Sequence, residues 1–128
     1  MVSLVLLSHS REIIAGLKEL IHEMVPEIIL YGVGGTAQGT LGSDYDETLR
    51  VIKKAYSKDG VIVLFDLGST FMTAEMVKDS MNDEEKESIY LADAPLIEGA
   101  ITAAVSISGG FSALEVMKSL EPLRIGKL

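Results

Sequence analysis

Residues 2–14, VSLVLLSHSREII, contain the strand-to-helix transition that decides the fold of this chain. The segment 2–8 is short and apolar apart from its serines, a pattern typical of a strand buried on both faces. The apolar residues that follow recur at the spacing of one helix face: Ile13, Ile14, Leu17, Leu20, Ile21 and Met24. They predict a helix over 12–24 that ends before Pro26.

The same alternation of strands and helices continues along the chain. Further strands are predicted at 28–31, 61–65 and 88–92, and further helices at 44–57, 69–81, 96–107 and 112–120. Ser43 is the expected N-cap of the second helix, and the charged stretch 82–87, NDEEKE, is expected to be a solvated loop. Apolar strands alternating with helices predict a single α/β domain over 1–128, with an open, mainly parallel, doubly wound sheet and helices on both faces.

The composition excludes several classes of function. The chain has no cysteine and only two histidines, so cysteine-ligated zinc, thiol catalysis and a histidine-rich metal site are ruled out. Its formal net charge of −8 argues against nucleic-acid binding, which needs a basic surface. The apolar runs are too short to cross a bilayer, and the first residues do not resemble a signal peptide. We therefore expect a cytoplasmic, soluble protein that binds neither membrane, metal nor cofactor.

His9 and Asp66 each follow a predicted buried strand. Ligands of doubly wound sheets bind beyond the carboxyl ends of strands. If those strands are neighbours, Asp66 can accept from one imidazole nitrogen and leave the other as a nucleophile. Gly68, Ser69 and Thr70 then begin a helix, where free N–H groups bind anions. This combination suits the acceptance and transfer of a phosphoryl group, and the alternative is a structural histidine that caps the following helix.

The glycine-rich loop 32–44, GVGGTAQGTLGSD, offers a competing interpretation. It matches the G-x-G-x-x-A pattern of dinucleotide-binding turns. However, it follows the second strand, and the next helix starts several residues too late for such a turn. We therefore predict that the loop forms the rim of the His9 site. His22, on the polar side of the first helix, is expected to be an exposed surface residue.

Three segments, VLLSHS (5–10), VLFDLGST (63–70) and ADAPLIEGAITAAV (92–105), resemble the DhaM family, the phosphoryl-carrier subunits of phosphoenolpyruvate-dependent dihydroxyacetone kinases. The first domain of that family is similar to the EIIA domain of mannose-family sugar phosphotransferase systems. The resemblance implies a mannose-type EIIA fold in which His9 accepts a phosphoryl group on Nε2 from phospho-HPr. The group then passes to ADP on the nucleotide-binding kinase subunit.

The same resemblance implies roles for the neighbouring residues. Asp66 matches the carboxylate that accompanies the histidine and so acts by orienting His9. Gly68, Ser69 and Thr70 match the phosphate-binding loop at the helix start. Helix 96–107 is apolar on nearly every side, which indicates burial in the core or in a subunit interface, and the resemblance favours a homodimer.

Two departures from the wider family bear on the branch of function. Sugar-transport members carry adjacent glycines and then Ser-Pro after the aspartate, whereas residues 66–75 read DLGSTFMTAE, which favours the dihydroxyacetone branch. Some relatives carry fused HPr-like and enzyme I-like domains, which we expect to be separate proteins here because the chain ends at Leu128. The alternatives are an EIIA component of sugar transport and a regulatory binding module whose His9 is never phosphorylated.

Overall fold

Four parallel strands form the central sheet of the computed structural model, which describes residues 1–126. The strands are β1 (Ser3–Ser8), β2 (Ile29–Gly34), β3 (Val61–Phe65) and β4 (Ile89–Leu91). Their order across the sheet is β2-β1-β3-β4. The chain therefore adds β2 on one side of β1 and then β3 and β4 on the other side. The predicted parallel, doubly wound sheet is confirmed, and the last two residues of the predicted domain 1–128 lie outside the described part.

Helices cover both faces of this sheet. They are α1 (Arg11–Met24), α2 (Tyr45–Ala55), α3 (Gly68–Ser80), α4 (Asp83–Lys86), α5 (Leu96–Ser108) and α6 (Ala113–Leu120), followed by a 3-10 turn at Glu121–Leu123. The first face carries α1, α5 and α6, and the second carries α2 and α3. Within residues 1–126, none of these helices has the length and apolar character needed to cross a membrane.

The side chains of each strand divide between the two helix layers because they alternate in direction along the strand. In β1, Leu4 and Leu6 join the core with α1 and α5, while Val5 and Leu7 join the core with α2 and α3. Full burial of an aliphatic side chain of this size contributes about 1.5–3 kcal/mol. Two apolar layers therefore hold β1 from both sides.

Two local predictions are wrong. The N-cap of α2 is Asp44, whose carboxylate accepts the Glu47 N–H at 3.0 Å, whereas the Ser43 hydroxyl bonds to the Thr73 hydroxyl at 2.7 Å. The predicted loop 82–87 contains the short helix α4, which starts with a capping box between Asn82 and Glu85. An all-polar turn has no apolar face, so periodicity cannot detect it, but its capping pattern can.

Only half of the predicted apolar stripe of α1 is buried. Ile14, Leu17 and Ile21 face the sheet, while Ile13, Leu20 and Met24 remain 44–46% exposed. The neighbouring helix α5 contacts α1 and also leaves two large apolar side chains exposed. We call the resulting surface the α1–α5 face; its residues are Ile13, Leu20, Met24, Ile97 and Val105. The helix pair therefore has an apolar outer surface as well as an apolar inner one.

Gly34 marks the place where β2 passes closest to the start of α1. A Cβ atom added to Gly34 would lie 2.7 Å from Arg11 Cα and 2.7 Å from the Ser10 carbonyl oxygen. Both neighbours are backbone atoms, which cannot turn aside as a side chain can. Glycine is therefore required here because the strand and the helix approach each other so closely.

We predict that Gly34→Ala lowers the free energy of unfolding by about 1–3 kcal/mol, the range typical of overpacking. Urea titration of the variant and the wild type measures this difference. Gly16→Ala is the matched control, because a Cβ at exposed Gly16 meets nothing within 4 Å. It should stabilise the protein by about 0.5–1 kcal/mol through helix propensity. Wild-type stability in Gly34→Ala would contradict the close approach.

Candidate active site

The parallel pairing of β1 with β3 places the carboxyl ends of these two strands side by side. Leu7 lies opposite Phe65 in the parallel register, and the Asp66 N–H donates to the Leu7 carbonyl at 3.1 Å. The next residues of the two strands, Ser8 and Asp66, are therefore neighbours. His9 follows at once and lies between the end of β1 and the start of α1. The structure thus brings His9 and Asp66 into contact, 57 residues apart in sequence.

The imidazole of His9 is held at both of its nitrogens. Nδ1 lies 3.0 Å from Asp66 Oδ1, and Nε2 contacts the hydroxyl oxygen of Ser69. An ionised carboxylate only accepts hydrogen bonds, so the neutral ring of His9 carries its proton on Nδ1 and its lone pair on Nε2. The His9 side chain is 22% exposed, so a partner can approach the ring.

Asp66 accepts hydrogen bonds from five donors. Oδ1 accepts from the His9 ring, from the Leu67 N–H at 2.7 Å and from the Thr70 hydroxyl at 3.1 Å. Oδ2 accepts from the Ser8 hydroxyl at 2.8 Å and from the His9 N–H at 3.0 Å. Donors on both oxygens leave the carboxylate little freedom to rotate.

These hydrogen bonds also determine the charge of Asp66. Burial by itself would raise the pKa of this carboxyl, but the bonds from the His9 N–H, the Ser8 hydroxyl, the His9 ring and the Leu67 N–H together lower it below its ordinary value. Each of these donors favours the charged form. Asp66 is therefore ionised at neutral pH and can stabilise positive charge on the imidazole.

The three predicted phosphate-binding residues at the start of α3 differ in their contacts. The Thr70 hydroxyl is buried and donates to Asp66 Oδ1 and to the Leu67 carbonyl, which also accepts the Thr70 N–H. Thr70 therefore helps to hold the Asp66 carboxylate in place. In residues 1–126, the N–H groups of Gly68 and Ser69 have no acceptor. They are available to an anion at the helix start, beside the exposed nitrogen of His9.

The glycine-rich loop lies against the same site. The Gly35 N–H donates to the Ser8 carbonyl, and the Gly42 N–H donates to the His9 carbonyl, both at 3.1 Å. Gly35 and Gly39 have φ angles of 75° and 80°, which favour glycine. The loop therefore holds the backbone on either side of the β1 carboxyl end and forms one wall of the site.

Two further residues, His22 and Ser8, can be compared with what the sequence predicted for them. His22 is exposed in the last turn of α1, about 17 Å along that helix from its start near His9. Ser8 was given no role by sequence reasoning, although its hydroxyl is bonded to Asp66. No sequence signal could have identified it, because its contact with Asp66 follows from the register of β1 with β3, which only the folded chain sets.

We predict that the wild type loses stability in acid more steeply than the Asp66→Asn variant does. A lowered pKa in the folded state contributes stability above the unfolded value of about 3.9, and this stability is lost as pH falls through the folded pKa. The advantage of the wild type in melting temperature should therefore shrink as the pH falls below about 4, and go on shrinking until the pH has passed the lowered folded pKa. The other carboxylates are present in both proteins, so their effect on the melting temperature cancels in the difference. A difference independent of pH would contradict the assignment.

The groups around His9 have an arrangement that suits one kind of chemistry. A nucleophilic nitrogen faces outward, an ionised carboxylate fixes the opposite nitrogen, and two free N–H groups lie at a helix start beside them. A phosphoryl group bonded to Nε2 would have its negative charge near those N–H groups and the ring's positive charge near Asp66. Together these features suit a covalent phosphohistidine.

Comparison with known proteins agrees with this interpretation. A family model described as the PTS system fructose IIA component, EIIA-man, matches residues 3–117. The DhaM phosphotransferase subunit of a PTS-dependent dihydroxyacetone kinase from Lactococcus lactis is 36% identical, with 97% of each chain covered. The DhaM phosphoryl donor subunit of dihydroxyacetone kinase 2 from Listeria innocua is 38% identical, with 82% of this chain and 85% of the relative covered.

A longer relative and a solved structure also match this chain. The Escherichia coli DhaM is 31% identical over 86% of this chain, which corresponds to 24% of that protein. A crystal structure of a protein of unknown function, EF1359, superposes with a TM-score of 0.84 at 31% identity and covers 94% of this chain and 92% of its own. The chain therefore belongs to the mannose-type EIIA family of the phosphotransferase system and, within it, to the DhaM family.

Proposed function

We propose that this protein is a phosphohistidine carrier that accepts a phosphoryl group on His9 from phospho-HPr and passes it to ADP on the nucleotide-binding subunit of a dihydroxyacetone kinase. The observation that carries the proposal is the bond between His9 Nδ1 and Asp66, which leaves Nε2 as the outward-facing nucleophile. The relatives are named as phosphotransferase or phosphoryl donor subunits of dihydroxyacetone kinases, which supports the choice of a dihydroxyacetone kinase as the acceptor.

In the first step, Nε2 of His9 attacks the phosphorus of the donor's phosphohistidine. The new Nε2–P bond forms as the donor's N–P bond breaks, and the donor ring takes back its electron pair. Nδ1 keeps its proton, so the phosphorylated ring of His9 is cationic and faces the ionised Asp66. The Ser69 hydroxyl turns away from Nε2, and its N–H and that of Gly68 receive the phosphoryl oxygens.

In the second step, a terminal phosphate oxygen of ADP attacks the same phosphorus. The Nε2–P bond breaks, its electron pair returns to the ring, and ATP forms on the kinase subunit, where dihydroxyacetone is phosphorylated. His9 returns to the neutral tautomer that Asp66 favours. The carrier thus undergoes no net change, as a phosphoryl relay requires.

We predict that His9→Ala abolishes phosphoryl uptake. The purified protein would be incubated with phosphoenolpyruvate, enzyme I and HPr, and intact-mass spectrometry would detect an acid-labile phosphoryl adduct. Addition of the ADP-loaded kinase subunit and dihydroxyacetone then measures product formation. Without His9 no other imidazole lies at this site, so neither adduct nor product should appear.

His22→Ala is the matched control, since it removes the chain's other histidine far from the site, and it should be labelled at the wild-type rate. A label retained by His9→Ala would overturn the site assignment. Labelling of the wild type without transfer to the ADP-loaded subunit would favour the sugar-transport alternative. No labelling of the wild type would favour the regulatory module.

We also propose that the protein is a homodimer joined through the α1–α5 face. Five large apolar side chains are exposed there on two adjacent helices, although each helix already buries its other side against the sheet. Adjacent apolar side chains that remain exposed on a monomer mark interaction surfaces. A closed interface between two copies of the same face would remove them from water.

We predict a two-chain species in sedimentation velocity at micromolar concentration, with twice the 13.8 kDa mass of one chain. Leu20→Asp, at a side chain 44% exposed on the face, should shift the distribution to single chains because it places a charge in the interface. Leu41→Asp is the control, since Leu41 is 76% exposed in the glycine-rich loop away from the face. A wild type that sediments only as single chains would refute the dimer.

A further inference from the structure

Ser8 is a buried polar residue at the end of a strand whose central residues, 4–7, are all apolar. Leu4 and Leu6 of β1 face the layer of α1 and α5, as do Ile62 and Leu64 of β3. Side chains alternate along strands, so Ser8 continues the first series and Asp66 continues the second. Ser8 is only 2% exposed. A buried hydroxyl needs hydrogen-bonding partners, and the choice of partners indicates its role.

The Ser8 hydroxyl is bonded on both sides. It donates to Asp66 Oδ2 at 2.8 Å and accepts the Ser10 N–H at 3.0 Å. In the described part of the chain, it is the one side chain that donates to Oδ2; the other donor is the His9 backbone N–H. Ser8 therefore connects the start of α1 to the carboxylate that holds the His9 ring.

The plane of the Asp66 carboxylate matters for His9. The terminal torsion of an aspartate has broad minima, so the carboxylate turns readily unless both oxygens are held. Donors on Oδ2 keep Oδ1 directed at Nδ1 of His9. Without the Ser8 hydroxyl, Oδ2 would keep only the His9 backbone N–H as a donor, so the carboxylate would be held less firmly and the preference for a proton on Nδ1 would weaken. A proton on Nε2 instead would block nucleophilic attack by that atom.

We propose that Ser8 is a positioning residue: its hydroxyl fixes the Asp66 carboxylate and thereby keeps His9 in the tautomer with a free Nε2. Its effect on transfer rests on the proposed phosphocarrier function, whereas its effect on the tautomer does not. Ser8→Ala should raise the fraction of His9 protonated on Nε2. It should also slow phosphoryl uptake by about 10- to 100-fold, by analogy with the loss of groups that orient metal-ligating histidines through a hydrogen bond.

The experiment reads the tautomer directly. Imidazole ¹⁵N chemical shifts would be recorded in a His22→Ala background, so that His9 gives the only histidine signals, and phosphoryl uptake from phospho-HPr would be timed on the same proteins. Wild type should show a protonated Nδ1 and a free Nε2. Ser8→Ala should show a mixture of the two tautomers together with slower uptake.

Ser10→Ala is the matched control for damage to the helix. Ser10 is the N-cap of α1, and its side chain accepts the Ile13 N–H without touching Asp66. This variant weakens the start of α1 but leaves the carboxylate held, so tautomer and uptake rate should remain those of the wild type. The same loss in Ser8→Ala and Ser10→Ala would show that Ser8 acts only through the helix, and would overturn the proposal.

A second variant covers the case in which Ser8→Ala does not fold. Ser8→Cys keeps nearly the same shape and offers a weaker donor, so it should shift the tautomer in the same direction by less. A wild-type tautomer in every folded Ser8 variant would overturn the proposal. A wild type that takes up no phosphoryl group would instead refute the proposed function, and the NMR comparison would still decide the role of Ser8.

Discussion

The parallel pairing of β1 with β3 is the constraint on which the core and the active site both depend. Its register places Leu7 against Phe65 and so makes Ser8 and Asp66 neighbours at the carboxyl end of the sheet. The two strands are buried on both faces, so a one-residue slip of register would move all of their side chains into the opposite layer. His9 therefore takes its position from two fully buried central strands.

A partly buried, ionised carboxylate lies at the centre of this arrangement, and hydrogen-bond donors from nearby and distant segments together stabilise it. The Leu67 N–H and Thr70 come from the segment that follows Asp66, whereas Ser8 and His9 arrive from the other strand. A partly satisfied buried charge would destabilise the fold, so folding and site assembly are coupled. The orientation of His9 is in place before any partner binds, which limits the reorganisation that transfer requires.

The glycine-rich loop and the helix starts give the site its shape. Gly34 lets β2 approach the first turn of α1, and the loop then bonds back to the Ser8 and His9 carbonyls. An apolar cavity of about 300 Å³ borders Asp66 on the side of α1 and α5, with Ile13 and Ile97 among its lining residues. These two residues also begin the α1–α5 face, so the candidate site and the proposed dimer surface are continuous.

The sequence by itself determined the type and order of the main elements, because continuous apolar strands and helical periodicity are local signals. It also predicted that His9 and Asp66 could meet, since both follow buried strands, and the structure brings them into contact. The resemblance of three segments pointed to the family. What only the tertiary structure decided depends on contacts between distant segments: the strand order, the register that makes Ser8 a partner of Asp66, and the bonds that turn Thr70 toward Asp66. The same reason explains why α1 buries Ile14 but not Ile13, since periodicity reveals that a stripe is apolar and only packing decides which part of it meets the sheet.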